Sequence, residues 1–536
     1  MEEQKKKYFY ITTPIYYASG NIHIGHTYCC TCADVIARYK RLRGYSVRFM
    51  TGSDEHGQKI QGKAIAAGMT PQAYVDKIAQ SFKDVWKAMN ISYDYYVRTT
   101  DDYHVACVKK VFTQLLKKGD IYLGKYQGWY CTYCESFFTE EQVGPDHLCP
   151  DCHRPVHFET EDAYFLNVKK FVPDLLKFYE THPDFCQKDK INEMVNTFIK
   201  PGLEDLCITR TSFDWGIPID ENPKHVVYVW IDALLNYISA LGYLSNDDTL
   251  MKEYWSDDSE IIHLVGRDIT RFHTIYWPIL LMALGLRQPD KVIVHGLLLT
   301  RSGVKLSKSL GNAPSPYPLI ERYGVDSLRY YLVREIQFES DGAFTPLQFI
   351  DRLNADLANN YGNLVNRTLS MVKRYFNGVI PEADLSQPQS ELTKKLFEDA
   401  TAKLTSYEGY MDSLDITGGT GAAMEMLDLG NKYFDAIAPW TQAKNGNTAL
   451  LKESLAAASE LLRMGGILLT PVMPMKTKEA LDQEAVPEAL RTYDSVQDHG
   501  KLAGITVGEL APLFPRLKKD DELVFLTNLI DGPVTK

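Results

Sequence analysis

No stretch of this sequence stays apolar for the roughly 20 residues that a membrane-crossing helix needs. The longest candidates, such as "YWPILLMALGL", fall well short. The leading "MEEQKKKYFY" is basic but has neither the apolar core of a secretion signal nor an Arg/Ser-rich transit pattern, so a cytoplasmic location is expected. Positive charge is also scarce: 58 Lys and Arg face 69 Asp and Glu, a net charge of −11. That argues against a protein that simply coats nucleic acid, but not against one that grips it through a local basic face. Ten cysteines in 536 residues do not make a disulfide scaffold. Internal repeats and low-complexity tracts are missing too. What remains is the composition of a globular protein, 45% hydrophobic and 24% charged, long enough for two to four domains.

The chain changes texture along its length. "YFYITTPIYY" reads as a buried strand, "TYCCTCADVIARYKRLRG" as a helix closed by Gly44, and "YSVRFMTGSDEHG" as a second strand ending in a polar loop. Strand–helix–strand in that order predicts a right-handed parallel crossover, the unit of a doubly wound, Rossmann-like α/β sheet. From about residue 119 to 224 the texture is different. The segment "YQGWYCTYCESFFTEEQVGPDHLCPDCHRPVHFE" is rich in Cys, His, Pro and turn residues and shows no extended periodicity. Strand–helix alternation returns with "HVVYVWIDALLNYISALG", "EIIHLVGRDITRFHTIYWPILLMALG" and "DKVIVHGLLLT". The simplest organisation is one sheet domain, 1–118 and 225–300, interrupted by an insertion. A loop region follows at 301–350, and 351–536 reads as an all-α bundle.

Two histidines bracket a glycine where the first strand turns into the first helix, in "YYASGNIHIGHTY". Positions three apart share a helix face, so His23 and His26 project together from the first turn. Unpaired backbone N–H groups and the positive end of the dipole make that spot an anion site. The two imidazoles would stabilise charge on a phosphoryl group, and Gly25 lets a flat base approach. The bland alternative is a pair of surface or capping histidines. A second basic element, "TRSGVKLSKSLGN", sets Lys305 and Lys308 on a Gly/Ser-rich loop near Arg301. Lysines there suit charge that appears only in a transition state, whereas alone they would read as a solvated basic face.

Cys131-x-x-Cys134 and Cys149-x-x-Cys152 stand fourteen residues apart, the spacing of a zinc ribbon in which four thiolates close a tetrahedron. A closed Cys₄ site leaves no open position, so the role is structural. His147, His153 and His157 lie nearby, but four sulfurs already saturate the ion. Cys29, Cys30 and Cys32 on the first helix read as buried small apolar residues. Farther on, Trp230, Ala233, Leu234 and Tyr237 form one apolar helical face, and Ile269, Phe272 and His273 another. Such stripes are ordinarily core.

"HIGH" followed by "KLSKS" resembles the class I aminoacyl-tRNA synthetases, the second element departing from Lys-Met-Ser-Lys-Ser only at Leu306. Within that class "TTPIYYASGNIHIGH", "TGSDEHG", "VYVWIDALLNYI", "GRDITRFH" and "APW" resemble the methionyl-tRNA synthetase family over nearly the whole chain. The resemblance implies an ATP-dependent ligase that makes methionyl-adenylate and pyrophosphate, then loads the 3′-terminal adenosine of methionine tRNA, initiator or elongator. His23, His26, Lys305 and Lys308 are then the catalytic groups. Gly25, Gly266, Asp268 and Ser307 join them around ATP, with Mg²⁺ as its partner ion. The methionine pocket falls on Ile15, Tyr17, Asp54, Trp230, Ala233, Leu234, Tyr237, Ile269 and His273, with Asp54 taking the ammonium. Asn363, Arg367 and Trp440 correspond to the positions that read the CAU anticodon. The cysteine knuckle would hold one Zn²⁺ and help seat the tRNA acceptor end.

Two positions depart from the family's usual motif. Leu234 stands where proline is usual and Arg267 where lysine is, which bears on pocket shape and nucleotide contacts. The insertion is too small for the hydrolytic editing domain that isoleucine, valine and leucine enzymes need, where one methylene supplies only about 1–3 kcal/mol of discrimination. A monomer is expected, since no C-terminal dimerisation domain is recognised. Two rival readings remain: a nucleotidyltransferase acting on a small acceptor, and a zinc-ribbon RNA-binding protein that has lost catalysis. The helical C-terminal half has no purpose in the first, and the intact His and Lys elements argue against the second.

Overall fold

The computed structural model describes residues 7–133, 136–138, 140–227, 229–299, 303, 306 and 313–530. They divide into two compact units: Met1–Ile22, Tyr45–Lys87 and Ser92–His295 form the first, and His23–Gly44, Ala88–Ile91 and Gly296–Lys536 the second. No helix among the described residues is long and apolar enough to cross a membrane.

The first unit is built on a five-stranded parallel sheet. Its strands are β1 (Tyr8–Tyr17), β2 (Ser46–Asp54), β3 (Tyr95–Arg98), β11 (Ser259–Gly266) and β12 (Lys291–His295). Their order is β12-β11-β1-β2-β3, and every neighbouring pair is parallel. The central strand explains the β-branched and aromatic run at the N-terminus: Phe9, Tyr10 and Ile11 are all fully buried, as a strand covered on both faces requires. Strand order reverses between β1 and β11, so the carboxyl ends of those strands mark the switch point where doubly wound sheets bind ligands. Gly52 on β2 cannot be replaced there, because a Cβ would fall 2.1 Å from the Val97 carbonyl oxygen.

Between the two halves of the sheet the chain forms β4 (Ile121–Cys131), β5 (Ser136–Phe138), β6 (His157–Leu166) and β7 (Leu206–Cys207), a four-stranded sheet in the order β5-β4-β6-β7. The absence of periodicity expected for this segment is corrected by a long antiparallel β4–β6 ladder, from Ile121 opposite Leu166 to Tyr130 opposite His157. Exposed Leu123 and Phe158 break the usual apolar-in, polar-out alternation, which is why the sequence conceals these strands. A small antiparallel sheet of β8 (Thr209–Arg210), β9 (Ile217–Ile219) and β10 (Asn222–Val227) returns the chain to the parallel sheet.

The second unit is helical. It contains α1 (Ile24–Leu42) and, among others, the helices Asn363–Phe376, Glu391–Asp412, Ile416–Ile437 and Thr448–Leu469. α1 links two parallel strands as a crossover, and it packs with other elements of this unit. Asp34 on α1 pairs at 2.7 Å with the fully buried Arg329, which also donates to the carbonyls of Met89, Pro471 and Val472. Tyr39 donates to Asp412 at 2.7 Å. Cys29, Cys30 and Cys32 are buried in α1, as small apolar residues would be.

Candidate functional site

In the first unit the residues singled out from the sequence gather at the carboxyl ends of strands. Ile15 and Tyr17 end β1, Asp54 ends β2, and Gly266 ends β11, with Asp268 and Ile269 on the short 3₁₀ turn that follows. The helix Val229–Ser239 presents Trp230, Ala233, Leu234 and Tyr237 on one side. Trp230 lies flat on Phe272, ring centroids 3.4 Å apart and planes 7° from parallel. Phe272 opens a π-helical stretch, Phe272–Tyr276, that widens one turn and holds His273 against Tyr237.

Hydrogen bonds settle the proton positions there. A backbone carbonyl only accepts, so the 2.9 Å contact from His273 Nδ1 to the Ile269 oxygen puts the proton on Nδ1. His273 Nε2 then accepts from the Tyr237 hydroxyl at 2.7 Å. Below this pair, Trp277 Nε1–H donates to His263 Nε2 at 3.1 Å, and His263 Nδ1 meets Thr12 Oγ1 at 2.7 Å. Burial lowers His273 to about 4 and holds His263 well below the usual imidazole range. The pocket wall is therefore aromatic and uncharged at neutral pH, with Asp54, only 7% exposed, as a carboxylate at the strand ends. His263, Trp277 and Thr12 were not anticipated from the sequence, because they stand on other elements and match no motif spacing.

In the second unit the two motif histidines cap α1 reciprocally. His23, the N-cap residue in extended conformation, accepts the Gly25 N–H on its Nδ1 at 3.1 Å; His26 Nδ1 accepts the His23 N–H at 3.2 Å. Their ring centroids lie 3.8 Å apart. The unpaired N–H groups expected at this helix start are therefore a point of correction. Ile24 N–H reaches the Pro314 carbonyl, Gly25 N–H the His23 ring, and those of His26 and Thr27 the His23 carbonyl. What the first turn offers an anion is its dipole and the outer ring edges. With each Nδ1 accepting, the ring proton sits on Nε2, so both histidines are neutral N–H donors there. Gly25 has a local reason to be glycine: a Cβ would lie 3.0 Å from His23 Cε1 and displace the capping ring.

Lys305, Ser307 and Lys308 lie outside the described residues, as does Arg301. Leu306 between them is buried, its N–H bonded to the Leu298 carbonyl at 2.9 Å, which accounts for an apolar residue inside the basic motif.

Three of the four knuckle cysteines, Cys131, Cys149 and Cys152, bring their sulfurs within 4.8 Å of one another, an arrangement that could hold a metal ion. Cys131 and Cys152 are 3.6 Å apart, far beyond a disulfide bond. Cys134 lies outside the described residues. The neighbouring histidines are engaged elsewhere: His147 stacks on Trp129 and pairs with Glu140, and His157 pairs with Glu159. His153, at φ +57°, supplies the left-handed turn after Cys152, and its N–H bonds the Cys149 carbonyl.

Asn363, Arg367 and Trp440 meet in the helical unit. Asn363 Nδ2 donates to Asn431 Oδ1 at 2.9 Å, Arg367 pairs with Asp435 at 2.8 Å, and the Arg367 guanidinium lies 5.8 Å from the Trp440 ring. Trp440 begins the helix Pro439–Lys444 and is 43% exposed. Asn360, Asn431 and Asp435 complete the cluster. Asn431 Nδ2 also donates to Asn360 Oδ1 at 2.9 Å, a pairing with no trace in sequence spacing.

Comparison with known proteins agrees across both units. The family model described as tRNA synthetases class I (M) matches residues 9–157 and 153–369, and that for the anticodon binding domain of methionyl tRNA ligase matches 380–510. A methionine–tRNA ligase of Caldanaerobacter subterraneus is 49% identical over 97% of this chain and 81% of that protein; one of Bacillus subtilis is 45% identical over 99% and 81%. The structure of Mycobacterium tuberculosis methionyl-tRNA synthetase bound by methionyl-adenylate superimposes with a TM-score of 0.90 at 36% identity, covering 95% of this chain and 100% of that one. With a model matched from residue 9 to residue 369 and relatives of this identity along nearly all its length, the chain belongs to the class I methionyl-tRNA synthetases.

Proposed function

We infer that this chain is a methionine–tRNA ligase. The methionine carboxylate attacks the α-phosphorus of ATP, the bond to the bridging β-oxygen breaks, and pyrophosphate leaves with methionyl-adenylate formed. A hydroxyl of the 3′-terminal adenosine of methionine tRNA, initiator or elongator, then attacks the acyl carbon and AMP departs. The observation that carries this reading is the match, over 95% of the chain, to a protein solved with methionyl-adenylate bound.

The roles of individual residues are proposals of the same kind. Trp230, Ala233, Leu234, Tyr237, Ile269 and His273, with Ile15 and Tyr17, take the methionine side chain. A polarizable thioether suits an aromatic, uncharged wall, and the neutral Tyr237–His273 pair supports that role. Asp54 takes the ammonium. Gly25, Gly266 and Asp268 serve the adenosine, and Ser307 the ATP loop. His23 and His26 donate from Nε2 to phosphate oxygens, while Lys305 and Lys308 follow the charge onto the leaving pyrophosphate. Mg²⁺ enters with ATP as its counter-ion. Asn363, Arg367 and Trp440 read the anticodon. The domain limits proposed above, a monomeric state and a cytoplasmic location accompany this reading.

For the knuckle we propose Zn²⁺ on Cys131, Cys134, Cys149 and Cys152. Bonds of about 2.3 Å at tetrahedral angles separate sulfurs by roughly 3.8 Å, close to the 3.6 Å between Cys131 and Cys152. Methionine-dependent exchange of pyrophosphate into ATP, followed by charging of a CAU tRNA, tests the whole reading. Exchange that ignores methionine, or exchange without charging, would refute it.

A further inference from the structure

One polar cluster lies outside every role assigned above. The helix Val229–Ser239 carries the apolar pocket face on one side and three buried polar residues on another: Asp232, Asn236 and Ser239. Asp232 is 0% exposed. A carboxylate at such a depth is costly unless both oxygens are paired. Both are. His56 Nδ1–H donates to Oδ2 at 2.7 Å and His104 Nε2–H to Oδ1 at 2.7 Å, while His104 Nδ1 meets the Ser239 hydroxyl, also at 2.7 Å. Burial alone would raise the Asp232 carboxyl, but the two imidazoles outweigh it and hold the group below the ordinary carboxylate range.

The chain positions matter more than the pairing itself. His56 is two residues beyond Asp54, on the loop that leaves β2. The rest of that loop is also pinned. Glu55, fully buried, takes a bidentate contact from Arg98 at 2.8 and 2.9 Å and one from Thr100 at 2.5 Å. The Glu55 carbonyl accepts from Trp215 Nε1 at 2.6 Å, and Gly57 N–H reaches the Trp215 carbonyl at 3.0 Å. The Asp54 carbonyl holds Ala18 N–H at 2.8 Å. Glu55 is thus tied to the sheet edge, and His56 ties the loop to the helix that bears Trp230 and Tyr237.

We propose that Asp232 is a positioning residue for amino-acid recognition: through His56 it sets the Asp54 carboxylate at a fixed distance from the apolar pocket face, so that ammonium and side chain are read together. This rests on the proposed role of Asp54 in binding the ammonium. A free amino acid has its ammonium and side chain on one carbon. A ligand of that shape gains from both contacts only if carboxylate and aromatic wall keep a constant spacing. His104 and Ser239 hold Asp232 from the other side, which prevents the carboxylate from swinging toward the loop.

Three ligands separate positioning from mere stability: methionine, methioninol (ammonium without carboxylate) and the deaminated methylthiobutanoate (carboxylate without ammonium). In Asp232→Asn the amide nitrogen meets an imidazole N–H, and the loop loses its anchor. The dissociation constants of methionine and methioninol should rise about ten- to a hundredfold, the worth of a charge-assisted hydrogen bond. That of methylthiobutanoate, and KM for ATP, should stay within about twofold. His56→Gln, which cuts the same link from the loop side, should give the same pattern and serves if Asp232→Asn does not fold. An equal loss for all three ligands, or no loss, would overturn the inference. Asp54→Asn distinguishes the two levels. If it abolishes the preference for ammonium-bearing ligands while Asp232→Asn and His56→Gln do not, positioning alone fails. If it leaves that preference intact, the reading of Asp54 fails and this inference with it.

Discussion

Replacing Trp440 by alanine separates anticodon reading from chemistry. The indole is 43% exposed, and the Arg367 guanidinium, 5.8 Å from the ring, reaches on to Asn431, the partner of Asn363. Ala438, at φ +46°, turns the chain just before the helix Pro439–Lys444, whose second residue is Trp440. An exposed aromatic face beside a guanidinium and amides is what an unstacked base needs: a platform and hydrogen-bond partners. Stacking contributes about 1–3 kcal/mol per base, so Trp440→Ala should lower kcat/KM for charging a CAU tRNA by about one to two powers of ten. The buried remainder of the indole contributes about 1–2 kcal/mol to folding, too little to unfold a unit with this much buried helix. Trp440→Phe keeps a π-face and should recover most of the charging rate. Methionine-dependent pyrophosphate exchange should be unchanged in both variants. If exchange and charging fell together in a protein with native circular dichroism, Trp440 would be a packing residue and the anticodon assignment wrong.

Protein purified without chelators should hold one zinc per chain by elemental analysis, and Cys149→Ala should lose it and expose the knuckle to protease; metal-free native protein would refute the site. Lys308→Ala should slow adenylate formation in stopped-flow far more than it weakens methionine binding, because pyrophosphate charge develops only as the bond breaks; an unchanged rate would remove Lys308 from the mechanism. Acid sensitivity follows from the pocket imidazoles. His273 titrates near 4 when folded because of burial, against about 6.5 unfolded. The unfolded chain therefore binds the extra proton first, and stability falls as pH drops from about 6.5 toward 4. Between pH 7.5 and 5 that is about 2 kcal/mol for this one group. His273→Gln should flatten the fall in denaturant midpoint by a corresponding amount, and His263, His225 and His499, which burial shifts the same way, contribute to what remains. An unaltered slope would show that His273 is not the buried neutral group described.

What could be read from the chain alone was whatever neighbours in sequence do to one another. His23, Gly25 and His26 within one turn, cysteines paired three positions apart, and Trp230 with Ala233, Leu234 and Tyr237 on one helix face are local patterns. Helical periodicity and ligand spacing carry them without any knowledge of the fold. The parallel sheet was legible for the same reason, since buried strands and their crossover helices each have a local signature. Tertiary structure decided everything that depends on which distant groups meet. It showed that the first-turn N–H groups of α1 are already taken by the Pro314 and His23 carbonyls and the His23 ring, and that β4 and β6 form a ladder hidden by exposed Leu123 and Phe158. It also brought His56, His104 and Asp232 together across as many as 176 positions of chain. Such pairings leave no periodic trace, because a buried polar group needs only some partner at hydrogen-bonding distance, and packing chooses which one.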